Sequence, residues 1–364
     1  MQVVVKKIIT SFARTCNASI KRYFTKLSAV VSPKKKEGFA GYEIKVHSGT
    51  TKQLIVVFSG VGNVASGEVH FEWGNSLVQA SEGAHIIFIK DNSRQWYTNP
   101  AGQAEVIAYL KHYMQSHGIT SSLAFGLSMG GYGALVFASL MTFNYVIALS
   151  SRSCVGKKAT FDTRNKTLMQ GIDNKALGAI TPALINPASQ YIFLASSDQN
   201  NDLKHLSLLK KTCPEGVFYL TRGDHNLGHE MNLQGQMQPF LKWLVGGCAS
   251  QPPVGVKPVN QQLLDLGEYL AENNLEALSV SLLEEKFTSL SVAETPIFLL
   301  RAQVQRLLNK KIVPKAFPCP VQASISAHWL RHYLGLGWYQ PEQGGVWSQG
   351  QWHQLNAQVV GAEN

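Results

Sequence analysis

Cysteine is scarce and without pattern. The five in 364 residues, Cys16, Cys154, Cys213, Cys248 and Cys319, are odd in number and show neither Cys-x-x-Cys nor Cys/His spacing. Neither a disulfide framework nor a zinc site is therefore expected, and the thiols read as reduced. No run approaches the roughly 18 apolar residues of a membrane span. The N-terminus also lacks the continuous apolar core of about seven residues and the small-residue cleavage site of a secretory signal, which makes the cytoplasm the expected location. Acidic residues are missing from the first 36 positions, which hold nine lysines and arginines. The remainder carries 24 basic against 23 acidic residues, so nearly all of the net charge of +10 lies in this arm.

The arm has a second property. Val5, Ile8, Ile9, Phe12, Cys16, Ile20, Phe24 and Leu27 recur at three and four, giving one apolar and one basic face if residues 1–36 are helical. Such a helix suits an anionic membrane surface, peripheral to the inner membrane, or packs its stripe on its own protein. No reading motif accompanies the charge, so a nucleic-acid partner is not expected.

Chemistry is concentrated elsewhere. Gly126-Leu127-Ser128-Met129-Gly130 is a Gly-x-Ser-x-Gly pentapeptide between a β-branched, apolar run and an alanine-rich helical run from about 130 to 141. In that context the serine occupies a strained strand-to-helix turn that projects its hydroxyl from the top of a sheet. The glycines remove side chains that would collide there, and the Met129 N–H faces a developing oxyanion. A serine hydroxyl needs a base, and the base needs an acid to fix its tautomer. Tyr191 to Ser197 is an apolar run ending in Asp198, and Val217 to Leu220 leads through Gly223-Asp224 to His225. Asp198 comes directly off its strand and is favoured as the acid over Asp202, which reads as a helix N-cap before Leu203. His225 is favoured as base over His229, which lies at the start of a terminal helix over 230–245; His205 and His229 read as solvated surface residues.

The second oxyanion donor is expected after Leu54 to Phe58, where Ser59-Gly60-Val61-Gly62 follows a buried central strand. Gly60 would let backbone approach the substrate, and Val61 would offer its N–H. Asp91 to Tyr97 follows another strand, so Arg94 is placed to hold an anionic group and Trp96 or Tyr97 to stack on a ring, or else the aromatics anchor the loop.

Taken in order, Phe58 to Gly62, Gly126 to Gly133, Asp198 and Gly223-Asp224-His225 resemble the successive signatures of the α/β-hydrolase superfamily over residues 40–247. The resemblance implies an α/β fold, a mainly parallel twisted sheet with helices on both faces. It also implies a serine esterase or acyltransferase with Ser128, His225 and Asp198 as triad, Val61 and Met129 as oxyanion donors, and no metal or cofactor. Strands are expected at 41–49, 54–59, 85–89, 123–127, 145–150, 191–196 and 217–220, with a helix over 103–115. The looser stretch 151–189, with Lys157, Lys158, Arg164 and Lys166, is placed to overhang the nucleophile as a small cap.

Residues 248–259 read as a Pro/Gly linker and 260–364 as a C-terminal domain beginning with helices over 263–273 and 275–287. Its end, Gly337-Trp338-Tyr339-Gln340-Pro341-Glu342 through Gly345-Val346-Trp347-Ser348-Gln349-Gly350, resembles a segment of bacterial proteins that build or decorate surface polysaccharides. Tryptophan faces stack on sugar rings, and they equally form the core of a small β-unit. An acylated glycan is thus the expected substrate, with a non-catalytic partner in glycan assembly as the alternative.

Overall fold

The computed structural model describes residues 36–62, 68–156, 161–162, 164, 178–233, 235–273 and 296, and short strands between 339 and 354. Residues 1–35 of the basic arm and the expected helix over 275–287 lie outside the described residues.

The strands form where β-branched and aromatic residues run together, because both faces of a central strand must be buried. They are β1 (Lys36–Phe39), β2 (Tyr42–His47), β3 (Gln53–Phe58), β4 (His85–Asp91), β5 (Ser121–Leu127), β6 (Tyr145–Leu149), β7 (Gln190–Ser196), β8 (Val217–Thr221) and β9 (Lys257–Pro258). Their order in the sheet is β1-β2-β4-β3-β5-β6-β7-β8-β9. The strands from β4 through β8 pair in parallel, while β2 lies antiparallel to β4 and β9 antiparallel to β8. An antiparallel β2 beside a parallel run ordered 4-3-5-6-7-8, with the nucleophile motif directly after β5, is the α/β-hydrolase fold. The chain steps from β3 to β4 on one side and returns across β3 to β5 on the other, which opens a crevice at their carboxyl ends.

Alternate residues of each strand feed two cores. Leu54, Val56 and Phe58 join a layer with α2 (Pro100–Ser116), α3 (Met129–Ala138) and α4 (Asn200–Thr212). Ile55 and Val57 face α1 (Gly74–Ala80), α5 (Leu227–Leu233) and α6 (Met237–Val245). Each fully buried Val, Leu, Ile or Phe contributes roughly 1.5–3 kcal/mol, so the two layers hold the sheet rigid beneath the crevice. The single terminal helix expected over 230–245 is two helices, because Gly235 turns the chain with φ +67° between α5 and α6.

The expected linker is part of this packed unit. Lys257 and Pro258 pair with Leu220 and Tyr219 as the edge strand β9. Helix α7 (Gln261–Glu272) buries Leu263, Leu264, Leu266 and Leu270 in the same core as α4. Ser207 Oγ donates to the Leu264 carbonyl at 2.6 Å, and a side chain at Gly267 would strike Ser207 and the Leu203 carbonyl. The unit therefore runs through Glu272, past the boundary expected at 259; the linker composition reflects one short edge pairing between turns, not a gap between domains. Near the C-terminus, β10 (Tyr339–Gln340), β11 (Gly345–Ser348) and β12 (Gln351–Gln354) form an antiparallel meander with Trp347 opposite Trp352.

Candidate active site

The turn at Gly126–Gly130 is built by steric exclusion. Ser128 adopts φ 58° and ψ −114°, a conformation sparsely populated for any residue with a Cβ and tolerated here because both flanks fix it. Its N–H donates to the Leu149 carbonyl at 2.8 Å and its carbonyl receives Tyr132 N–H at 3.1 Å. A Cβ at Gly130 would run into the Phe58 carbonyl, and one at Gly133 into the ring of Tyr97. Only glycine at these positions lets α3 lie against β3 with its N-terminus at the serine. Met129 opens α3, so its N–H has no acceptor within the helix.

His225 reaches the serine from the loop after β8. Its Nε2 lies 2.9 Å from Ser128 Oγ, and its Nδ1 lies 2.8 Å and 2.9 Å from the two oxygens of Asp202. An ionised carboxylate only accepts, so Nδ1 carries the proton and Nε2 is free to accept from the Ser128 hydroxyl. The Asp202 side chain is fully buried. Burial raises its pKa, but the electrostatic and hydrogen-bond contributions of His225 and of the Arg164 guanidinium outweigh it and hold the carboxyl below its ordinary value.

The hydrogen bonds to His225 Nδ1 thus come from Asp202, and Asp198, the acid favoured from the sequence, is engaged by the loop before His225. Its Oδ2 accepts the Gly223 N–H at 2.9 Å and lies 3.3 Å from Arg222 Nε. Ser196 Oγ completes the clasp by donating to the Gly223 carbonyl at 2.6 Å and accepting from Asp198 N–H. Asp198 thus ties the end of β7 to the loop that presents His225. Asp202 is not an N-cap either: α4 begins at Asn200, and Asp202 sits in its first turn, where the helix dipole favours a carboxylate.

Other expectations are also corrected. Trp96 and Tyr97 are fully buried, which leaves them no face for a sugar. Arg94, Trp96 and Tyr97 all take positive φ, 53°, 59° and 59°, in a loop held by Asp91, which accepts from Ser93 and from Tyr97 N–H. Tyr97 Oη donates to the Ser59 and Ile89 carbonyls, and Trp96 packs edge-on to Tyr132 with the Arg152 guanidinium 4.9 Å from its ring centre. Arg94 Nε donates to the Val61 carbonyl at 2.8 Å, so it fixes the backbone whose N–H was expected in the oxyanion hole. Gly60 approaches a protein group: its N–H bonds the Glu72 carboxyl, whose Oε1 lies 2.7 Å from where a Cβ on Gly60 would be. Burial raises the Glu72 pKa to about 7, and that N–H only partly opposes it.

His205 is not a surface residue. It is fully buried, with Nε2 3.0 Å from Asp162 Oδ2 and Nδ1 accepting Ser153 N–H at 3.0 Å; burial foremost pulls its pKa down to about 4. It belongs to a cluster with Arg152, Asp162 and Arg164 that the sequence reading missed. Arg164 grips Asp162 with Nε and Nη2 and reaches Asp202 with Nη1 at 2.8 Å. Arg152, Asp162 and Arg164 lie in the stretch 151–189, which is bridged between Cys154 and Ala179; residues 157–160, 163 and 165–177 of the expected cap, Lys157, Lys158 and Lys166 among them, lie outside the described residues. Cys154, Cys213 and Cys248 are buried thiols outside any disulfide. Among the described residues no helix is long and apolar enough to cross a membrane.

No family model and no curated protein matches the chain. Solved structures similar to it include the capsule O-acetyltransferase of Neisseria meningitidis serogroup A, at 13% identity over 60% of this chain and 99% of that one, with a TM-score of 0.46. Brefeldin A esterase, a bacterial homologue of human hormone-sensitive lipase, aligns at 11% identity over 60% of this chain and 76% of that one, TM-score 0.43. XC6422 of Xanthomonas campestris, an α/β serine hydrolase without a lid, aligns at 12% identity over 61% and 99%, TM-score 0.35. The fold assignment is carried by this chain's own strand order and elbow.

Proposed function

We propose that this protein is a serine acyl-ester hydrolase or acyltransferase working through an acyl-Ser128 intermediate. The observation that carries the reading is the continuous chain from Ser128 Oγ through His225 to the buried Asp202, set at a positive-φ elbow. As Ser128 Oγ bonds to the acyl carbon, His225 Nε2 takes its proton, and Asp202 stabilises the imidazolium formed. The carbonyl oxygen becomes an oxyanion facing the N–H groups of Met129 and Val61. Collapse expels the leaving alkoxide, which receives the proton from Nε2. A second hydroxyl, from water or an acceptor, then gives its proton to Nε2, attacks the acyl carbon and restores Ser128.

A small acyl group on a bacterial glycan or its precursor is the substrate class we favour, supported by the resemblance of Gly337 to Gly350 to segments of polysaccharide-building proteins. The basic, acid-free residues 1–36 support attachment to an anionic membrane surface on the cytoplasmic side, each basic residue near the leaflet contributing on the order of 1 kcal/mol. Deleting residues 2–36 should abolish sedimentation with anionic liposomes and spare esterase activity; retained sedimentation removes the proposal.

A fluorophosphonate probe tests the enzymatic reading. The adduct should map to Ser128 by mass spectrometry and be blocked by Ser128→Ala. A folded protein that stays unlabelled would favour a non-catalytic scaffold for glycan assembly. A panel of acetylated glycans, scored for acetate release and for transfer, then tests the substrate class.

A further inference from the structure

The triad acid is gripped from behind by a second cation. Asp202 Oδ1 is 2.8 Å from His225 Nδ1 and also 2.8 Å from Arg164 Nη1, and the two donors converge on one oxygen 3.0 Å apart. Hydrolysis through Ser128 requires only the first. The second is built at considerable cost: Arg164 is fixed by a forked pair of bonds to Asp162, through Nε at 3.1 Å and Nη2 at 2.8 Å. Asp162, whose side chain is wholly buried, is in turn held by Arg152 Nη2 at 3.3 Å, His205 Nε2 at 3.0 Å and Asn201 Nδ2 at 3.3 Å. Arg152 Nη2 also donates to the Arg164 backbone carbonyl at 2.7 Å, pinning that residue at both ends.

We propose that Arg164 is a positioning residue of this site: clamped by Asp162, its guanidinium holds the Asp202 carboxylate in the orientation from which it aligns His225 on Ser128. The inference rests on the acyl-Ser128 reading. Its physical basis is that Asp202 has no side-chain exposure, so solvent does not orient it and its direction is set by the donors it meets. A planar guanidinium supplies two such directions at once, one toward each aspartate, which a lysine ammonium on a flexible stem does not reproduce. His205, whose pKa burial foremost depresses to about 4, stays uncharged near neutrality and meets Asp162 as a hydrogen-bond donor through Nε2.

The test measures the second-order rate of Ser128 labelling by a fluorophosphonate, and kcat and KM for p-nitrophenyl acetate, in the unmodified protein, Arg164→Ala and Arg164→Lys. Misplacement of the acid should slow labelling of Arg164→Ala by about 100-fold. The loss should appear in kcat with KM unchanged, and millimolar guanidinium should restore part of it, where sodium at equal ionic strength does not. A role confined to anchoring the chain around 160 would lower the melting temperature but give no rescue of the rate, and that result overturns the proposal. Labelling of a folded Arg164→Ala at the unmodified rate also overturns it. If Arg164→Ala does not fold, Arg164→Lys decides: slower labelling at unchanged KM supports the proposal, and an unchanged rate refutes it. Absence of Ser128 labelling in the unmodified protein would sink the acyl-enzyme reading and this inference with it, an outcome distinct from all the others.

Discussion

Two segments supply the proposed triad's chemistry by different physics. The elbow at 126–130 is fixed by its own backbone: Gly130 is excluded from carrying a side chain by the Phe58 carbonyl, and the positive φ of Ser128 follows from closing strand onto helix. The acid segment at 198–202 is decided from afar. It offers two buried aspartates four residues apart, and which one faces His225 depends on residues elsewhere in sequence. Gly223 and Arg222 take Asp198; Arg164 and His225 take Asp202. A motif whose geometry is local is specified by the residues within it, whereas a carboxylate's role is set by its competing partners.

The sharpest break in that comparison is at the serine. Ser128→Ala should lower kcat on a short-chain ester by a factor on the order of 10⁶, as removal of a triad nucleophile does, with the melting temperature nearly unchanged. Gly130→Ala should act on the same segment through the fold. Its methyl group meets a backbone carbonyl that has no rotamer by which to move, so chemical denaturation should show a loss of more than about 3 kcal/mol. Asp198→Asn separates the other segment. An amide in place of the carboxylate weakens the clasp on Gly223 and Arg222, costing about 1–3 kcal/mol of stability, while kcat should change by less than about tenfold.

The smallest expected effect concerns pH and two buried groups with opposite signs. His205 is pulled down to about 4, so between about 6.5 and 4 the unfolded chain binds a proton that the folded protein does not, and stability falls as pH falls. Glu72 is raised to about 7, so between about 4.5 and 7 the folded protein keeps a proton that the unfolded chain releases, and stability falls as pH rises. The two slopes oppose one another across pH 4.5 to 6.5. Melting curves of Glu72→Gln should therefore lose stability on acidification over that window, and those of His205→Gln should gain it. Parallel profiles for the two variants would contradict these assignments.

What the sequence made legible follows the same division. The central strands β3 to β8 stand out because uninterrupted β-branched runs are required of strands buried on both faces, and the elbow because its glycines are sterically necessary. The place of His225 in the loop after β8 was accessible from chain order alone. Asp202 was visible but carries the same signature as a helix cap, and only its contact with His225 separates the two roles. Arg164 looked like one of several basic residues in a loose stretch, and its pairing with Asp162 and Asp202 is a tertiary fact without a spacing signal. Trp96 and Tyr97 misled because a loop at the carboxyl edge of the sheet can turn its aromatics inward, as the positive φ of both residues does here. The extension of the packed unit through α7 was hidden by the Pro/Gly composition of residues 251–258, which suits an edge strand between turns as well as a linker.

The most direct measurement of the central claim, that Ser128 is activated by His225 held on Asp202, is kcat for Asp202→Asn set beside that for Asp198→Asn in proteins shown to be folded. The account predicts a loss of about 10⁴-fold at Asp202, the scale on which a triad that loses its acid through the wrong histidine tautomer fails, and a loss smaller than about tenfold at Asp198. A larger loss at Asp198, or an Asp202→Asn enzyme as fast as the unmodified one, would contradict it.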